Sequence, residues 1–411
     1  MNQIWTLLKK IILFPGKAWA ILKKDRVSLA GTLFVILLFL FSCFYFIFIP
    51  DGTLFLNRVC LPIGNQPPGF EVRLLKVIDN KPNQVQSMFS KWIYGTRHKE
   101  TFIPISSNHF EGTDIVVKEF SASGDSSFEI RYNIADVVYN ISPDSRVAER
   151  NGGLFFESAD GAAVEESVSD IQGIIEGQYI IRKKYIMGTD HMGRDVLVMF
   201  LAATRASVWT AFFVTVIALF LGTLLGVFLG FAKGRYGEFF HWLIDSLTAI
   251  PALVFIIAVM FVIGNGFWKV CLVCGIVISF EVARMLFHKM TSVREKWYAE
   301  TALALGIKPW RIAIKYILPG LAKPLLAIIP VVFCTAVLFE SGLSFLGLGL
   351  SDNFPSWGSM IRDNFGYIIV PGYAYLTLLP GLAIILISFA FVVLSARMKI
   401  FTREEYDTVL G

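Results

Sequence analysis

The residues able to do chemistry in this sequence are few, and most of them stand inside long apolar runs. Glu281 and Arg284 lie three positions apart in one run, a spacing that shares a helix face and lets opposite charges pair. Asp245 precedes Pro251 in another, where the proline is expected to kink a spanning helix. Glu340 closes a third run and leads into Ser341-Gly-Leu-Ser-Phe-Leu-Gly-Leu-Gly349, whose small residues permit close helix contact. Ionisable groups at membrane depth are costly, which makes these residues candidates for a translocation path or gate. For Glu281 and Arg284 the plainer alternative is a self-neutralised pair at a helix end. Cys271-x-x-Cys274 has zinc or redox spacing, but as a lone pair in an apolar run it reads as packing. His98 and His109, separated by a loop-like stretch, read as surface residues. There is no Gly-x-x-x-x-Gly-Lys-Ser/Thr phosphate loop, so ATP hydrolysis would have to come from another chain.

The elements that position these residues are set by composition. The chain has 411 residues, of which 55% are hydrophobic and 17% charged, against about 25% charged in ordinary soluble proteins. Spans are expected at roughly 27–49, 207–232, 244–264, 268–287, 321–344 and 373–396, each near the 20 or so residues a bilayer crossing needs. Lys9, Lys10, Lys17, Lys23, Lys24 and Arg26 precede the first, and Arg397, Lys399 and Arg403 follow the last. By the positive-inside rule both termini are cytoplasmic, loops 233–241 and 288–320 are inside, and 345–371 is outside. The net charge of +5 is therefore a topology signal and does not call for nucleic acid. Leu40-Phe-Ser-Cys43 has a faint look of a lipoprotein cleavage site, but the apolar run continues past it, so an uncleaved anchor is expected.

Residues 50–187 form a polar segment long enough for its own core. Period-2 alternation predicts strands at Phe70–Ile78, Asp114–Phe120 and Phe128–Ile134, separated by Asp79-Asn-Lys-Pro82 and Ser123-Gly-Asp125. A β-rich or mixed extracytoplasmic domain between the first and second spans follows. Cys60 is its only cysteine, so it has no internal disulfide.

Arg294–Pro319 is a polar, helix-forming island between two apolar runs. It starts basic, continues Trp297-Tyr298 and Glu300-Thr-Ala302, and reaches Gly306 with Pro309 shortly after, a helix stop signal. Leu318-Pro319 then opens the next helix, where the missing proline N–H costs least. A short helix displayed at the membrane surface is usually displayed to a partner.

These motifs resemble, in order, those of the oligopeptide/dipeptide ABC importer permeases, in the C-type membrane subunit. Gly188-Thr-Asp190, Gly193-Arg-Asp-Val-Leu197 and Arg205-Ala-Ser207 resemble the family's entry motif. Tyr298-Ala-Glu-Thr-Ala302, Gly306 and Leu318-Pro319 resemble the cytoplasmic EAA loop, with Thr301 in the middle of the triplet. Glu340 through Gly349 and Pro355-Ser-Trp-Gly358 are similar to the outer re-entrant segment, and Asp245, Pro251 and Ala283-Arg284 also fit. The resemblance runs over about 188–385, while the outer segment is much longer than the family's usual loop.

The resemblance implies an α-helical polytopic membrane protein with six transmembrane helices of the type I ABC importer permease fold. It divides the chain into a cytoplasmic lead 1–26, helix 27–49, an inserted domain 50–187, a permease domain 188–396 and a tail 397–411. Tyr298, Glu300, Ala302, Gly306, Leu318 and Pro319 are then the ATPase-coupling residues. Arg205, Asp245, Glu281, Arg284 and Glu340 are the translocation or gating candidates. Implied partners are a second permease, two ATPase subunits carrying ATP and magnesium, an extracytoplasmic binding protein and the bilayer of a bacterial inner membrane. The chain itself would have no cofactor and no catalytic residue. Peptide, nickel and glutathione systems share this architecture, so the solute stays open. Two other classes remain: a stand-alone secondary transporter, which needs buried acids and inverted repeats, and a membrane-anchored receptor using the outer domain.

Overall fold

The computed structural model describes residues 25–45, 59–78, 100–121, 128–142, 145, 147–150, 152–159, 161–232, 234–294, 318–351 and 354–410. They fall into two units: Met1–Tyr45 with Ala202–Ile368 and Thr377–Gly411, and Phe46–Leu201 with Ile369–Leu376.

The first apolar run becomes helix α1, Arg26–Cys43, because Asp25 supplies its N-cap. The Asp25 carboxylate accepts from the Ser28 amide at 3.2 Å and the Ser28 hydroxyl at 2.8 Å. Arg397 reaches the same carboxylate at 2.8 Å and donates to Ser28 Oγ at 3.0 Å, tying the start of α1 to the last helix. The Ser28 hydroxyl first, with further help from Arg397 and the Ser28 amide, holds the Asp25 carboxyl below its ordinary range against the opposing effect of desolvation.

The second unit is β-rich. Its strands are β1 Phe70–Ile78, β2 Glu100–Glu111, β3 Asp114–Glu119, β4 Glu129–Asn133, β5 Ala148–Arg150, β6 Gly153–Glu157, β7 Ala163–Ser167 and β8 Ile180–Tyr185. They form a five-stranded antiparallel sheet in the order β4-β3-β2-β1-β8 and a three-stranded sheet β5-β6-β7. Helices α2 Ile134–Val138 and α3 Val168–Ile174 complete one core, in which Leu75, Ile105, Ile115, Ile134, Leu154 and Ile171 are fully buried. On the other face, Ile63, Val72, Leu74 and Tyr185 form a second core with Phe70, Phe102 and Phe120 packed against it. Adjacent Leu74 and Leu75 thus serve opposite faces, as the period of 2 requires. The three expected strands are present. The stretch leading to His109 is not a loop: it is β2, paired with both β1 and β3, and it tolerates Pro104 and a bulge near Ser106. His109 lies exposed on that strand beside Glu111, at 3.1 Å, and His98 lies outside the described residues.

The remaining helices are α4 Val196–Phe231, α5 Gly234–Ala249, α6 Ala252–Ile263, α7 Phe267–Arg294, α8 Leu318–Phe345, α9 Trp357–Asn364 and α10 Tyr375–Leu410. Among the described residues, five helices are long and apolar enough to cross a membrane: α1, α4, α7, α8 and α10. The third expected span is a broken element. The chain turns by 89° between α5 and α6, and Pro251 caps a new helix there rather than kinking a continuous one. Loop 233–241 is correspondingly helical from Gly234 onward. The second span starts at Val196, not at residue 207, giving a helix of 36 residues and about 54 Å.

Close contact between α4 and α7 depends on missing side chains. A Cβ on Gly222 would lie 2.5 Å from Val282 Cβ, and one on Gly226 would lie 2.9 Å from Leu286 Cβ. This four-residue glycine spacing lets two apolar helices approach where no hydrophobic driving force separates them from lipid. At the end of this contact, Leu229, Ile244 and Ala283 form a small core with Phe240 and Phe287.

Candidate functional site

Among the described residues of the membrane-spanning unit, one carboxyl group is enclosed completely. Glu340, near the end of α8, has no exposed surface. The run Glu-Ser-Gly-Leu-Ser places Ser344 one helical turn on, where its hydroxyl donates to Glu340 Oε1 at 2.7 Å. Ser341 stands at 3.5 Å from Oε2. Ser207 of α4 donates to Oε2 at 3.1 Å, and Ser356 adds a fourth hydroxyl bond.

The same serines hold the segment before α9. The Trp357 amide donates to Ser207 Oγ at 3.2 Å, and Trp357 Nε1 donates to Thr204 Oγ1 at 3.2 Å. Trp357 is 1% exposed. Ser356 and Ser359 form a reciprocal capping box that starts α9. Gly358 is required by contact: a Cβ there would sit 2.1 Å from the Ser341 carbonyl oxygen. Three chain segments that are far apart in sequence therefore converge on one carboxyl group. Hydroxyl donors satisfy it, which is how a buried polar group avoids the cost of an unpaired one. The hydroxyl donors come from α4, α8 and the segment before α9, so the cluster ties these three segments together.

Arg205, two residues before Ser207, is also buried, with its guanidinium carbon 5.3 Å from the Tyr45 ring centroid. This is a cation–π contact with the end of the first helical segment. The other candidates do not join this cluster. Asp245 is exposed on α5, where its carbonyl accepts from Thr248 Oγ1 at 3.1 Å. Glu281 and Arg284 are both exposed and do not pair. Arg284 instead reaches Thr248 Oγ1 on α5 at 3.3 Å, so it ties two helices together. Leu318 and Pro319 open α8, with Pro319 as its second residue. Tyr298, Glu300, Ala302 and Gly306 lie outside the described residues.

The Gly188–Asp195 motif is a built element of the β-rich unit. Asp190, 1% exposed, accepts from the Met192 and Arg194 amides at 3.0 and 2.8 Å, and from Arg194 Nε and Nη2 at 2.7 Å each. Both guanidinium nitrogens meet one oxygen, Oδ2, while Oδ1 takes the two amides, so the carboxylate is held by charge-assisted and backbone bonds together. Thr189 Oγ1 donates to the Ile63 carbonyl at 2.5 Å and accepts from the Gln66 amide at 2.9 Å. The Cys60 amide bonds Met192 O at 2.8 Å, and the Asn65 amide bonds Asp190 O at 2.9 Å. Gly193 has φ +74°, and a Cβ on it would lie 2.0 Å from the Cys60 carbonyl oxygen. Asp195 then starts α4 by accepting from the Leu197 and Val198 amides at 3.1 and 3.3 Å, while its other oxygen meets Lys183 Nζ at 3.2 Å. Sequence reasoning noted this motif only by resemblance. Its local chemistry is an Asx-type knot followed by a helix cap.

Residues 222–400 match the family of the binding-protein-dependent transport system inner membrane component. The glutathione transport system permease protein GsiD of Pectobacterium atrosepticum is 29% identical over 214 residues, which are 52% of this chain and 70% of that protein. The dipeptide transport system permease protein DppC of Alkalihalophilus pseudofirmus is 32% identical over 208 residues, 50% of this chain and 66% of its own length. The oligopeptide transport system permease protein OppC of Bacillus subtilis is 30% identical over 181 residues, and the chain spans 59% of its length. An inward-facing MetNI methionine ABC transporter structure aligns with TM-score 0.41 and 16% identity, covering 50% of this chain and 97% of that one. Over its helical segment 222–400 this chain is thus similar to the binding-protein-dependent transport system inner membrane components.

Proposed function

We propose that the chain is a permease subunit of an ATP-driven importer whose solute is a peptide or a closely related amide-linked molecule such as glutathione. The family match carries this reading, because the matched segment contains the polar island between α7 and α8. The printed substrates of the relatives, glutathione, dipeptides and oligopeptides, support the solute class. In this reading Tyr298, Glu300, Ala302 and Gly306 dock into a groove of an ATPase subunit, and Leu318 and Pro319 pass the displacement into α8. ATP and magnesium belong to the ATPase pair, a second permease completes the pathway, and a binding protein delivers the solute from outside. Both termini are cytoplasmic. The Glu340 cluster acts as a rigid joint between α4, α8 and the segment opening α9, so that these elements move as one body. A solitary secondary transporter is less well supported, since Asp245, Glu281 and Arg284 are exposed on the chain and Glu340 is held by serines.

The test is purification with the ATPase subunits together with uptake assays. Gly306→Pro replaces the glycine of the sequence's helix stop signal, and Glu300→Lys reverses the charge proposed to face the ATPase. Both variants should reach the membrane at normal abundance, lose ATPase co-purification and lose peptide uptake. Normal co-purification and uptake in both would reject the coupling assignment.

A further inference from the structure

We propose that α5 lies flat in the boundary layer of the bilayer, with Tyr236, Phe239 and Trp242 inserted among the phospholipids of one leaflet. These three side chains are 81%, 53% and 63% exposed. At about 100° per residue they cover an arc of about 120° on the helix, roughly opposite the buried Gly237 and Ile244. The exposed Glu238 and Asp245 border that arc beyond Trp242, and the exposed Arg235 falls within it on the first turn. An aromatic arc with a charged border suits the boundary between water and lipid. Indole and phenol groups place an apolar body in the acyl layer and a polar tip among the headgroups there. Arg235 has a stem long enough to reach the phosphates from the same arc. The proposal rests on the chain spanning a membrane and not on which solute is carried.

Contacts fix the level and direction of α5. The His241 ring lies 3.9 Å from the Phe287 ring, centroid to centroid, Thr248 Oγ1 accepts from Arg284 at 3.3 Å, and Ile244 packs with Ala283. These partners belong to the last two turns of the spanning stretch Phe267–His288 of α7. Ala283 and Phe287 stand about 24–30 Å along α7 from Phe267, and the hydrocarbon core is about 30 Å thick, so α5 meets α7 near one boundary of the bilayer. α6 packs against α7 and turns 89° from α5, so α5 runs across the spanning direction, in the membrane plane. The aromatic arc also continues the outer surface of a span. On α4, Phe212, Val216, Phe220, Leu224 and Phe228 are exposed at every fourth position, an apolar row that acyl chains cover in a spanning helix. Phe228 meets Phe240 of α5 edge-on at 5.3 Å, and Phe239 and Trp242 follow at 5.5 and 6.1 Å. A protein groove laid over this arc would bury Arg235, whereas a headgroup layer leaves it solvated beside phosphates.

The test places the photoreactive residue p-benzoylphenylalanine singly at positions 236, 239, 242, 238 and 245 of the full chain in the membranes of intact cells, with position 224 on α4 as the lipid-facing reference. Ultraviolet light joins it to its nearest neighbour, and mass spectrometry of the purified chain identifies the adduct. Positions 236, 239 and 242 should carry phospholipid adducts as 224 does, and these should be lost at 238 and 245. The three aromatic positions are exposed and receive another aromatic ring, so the substitutions leave the core of the unit intact. A protein adduct at 239 and 242, whether to a partner, a second copy or another segment of this chain, overturns the proposal. Equal lipid adducts at all five α5 positions, or none at 239 and 242, overturn it as well.

Discussion

Replacing Glu340 with alanine removes the acceptor shared by Ser207, Ser341, Ser344 and Ser356. Hydrogen bonds between side chains in membrane proteins average about 0.6 kcal/mol, so four amount to about 2.4 kcal/mol. The space left by the lost carboxymethyl group adds about 1 kcal/mol, because buried cavities close only partly. The expected cost is therefore about 3 kcal/mol. Glutamine keeps the shape and one carbonyl acceptor, and serine hydroxyls can turn to accept from its amide, so Glu340→Gln should cost about 1 kcal/mol. Distance orders the serines: Ser344→Ala, at 2.7 Å, should cost more than Ser341→Ala, at 3.5 Å. Ser207→Ala should exceed both, because the Trp357 amide loses its acceptor as well. Reversible unfolding of the full chain by SDS in mixed micelles reads these differences directly. If Glu340→Ala unfolds with wild-type stability, or the serine variants show no order, then the cluster is not what holds α4, α8 and α9 together.

Gly222→Val should destabilise the chain by about 1–3 kcal/mol through overpacking against Val282, and Gly226→Val should do the same against Leu286; the same SDS titration measures both. Burial, and then the Glu119 charge, push the Cys60 thiol up to about 11. Its neutral form is favoured in the folded protein, so alkylation should be about 100-fold slower than for an ordinary cysteine near pH 8 and should rise as pH passes through 11, as stopped-time maleimide labelling will show. The Asp25 carboxyl, depressed by Ser28 and Arg397, contributes stability above its unfolded value of 3.8 that is lost as pH falls through the lower folded value; Asp25→Asn should remove this acid dependence from a thermal-unfolding profile. Cysteines placed at Lys76 and Lys118 should label from outside intact cells, and one placed at Lys308 should not.

Local signals were legible and contacts between distant segments were not. Phe70–Ile78 announces itself because Phe70, Val72 and Leu74 recur at every second place toward one core, with Leu75 and Val77 continuing the period toward the other. Glu100–Glu111 does not, because Ser106, Ser107 and Asn108 interrupt the alternation and Pro104 argues against a strand; its pairing with neighbours on both sides overrides both signals. The break at Pro251 follows a related logic. Residues 244–264 read as one apolar run, but Gly234–Ala249 is amphipathic, with Arg235, Glu238 and Asp245 exposed and Ile244 buried, and a helix with one polar face gains nothing by running straight into the next apolar segment. The Glu340 cluster was half visible. The glutamate, the serines after it, Arg205-Ala-Ser207 and Pro355-Ser-Trp-Gly358 all stood out separately. Their meeting joins residues 133 and 150 positions apart, and no periodicity reports contacts at that range. What could have pointed to it is an energetic question: a carboxyl group at the end of an apolar run must find donors, and two serines on its own helix supply only two of the roughly four bonds its oxygens can accept, which leaves room for donors from other segments.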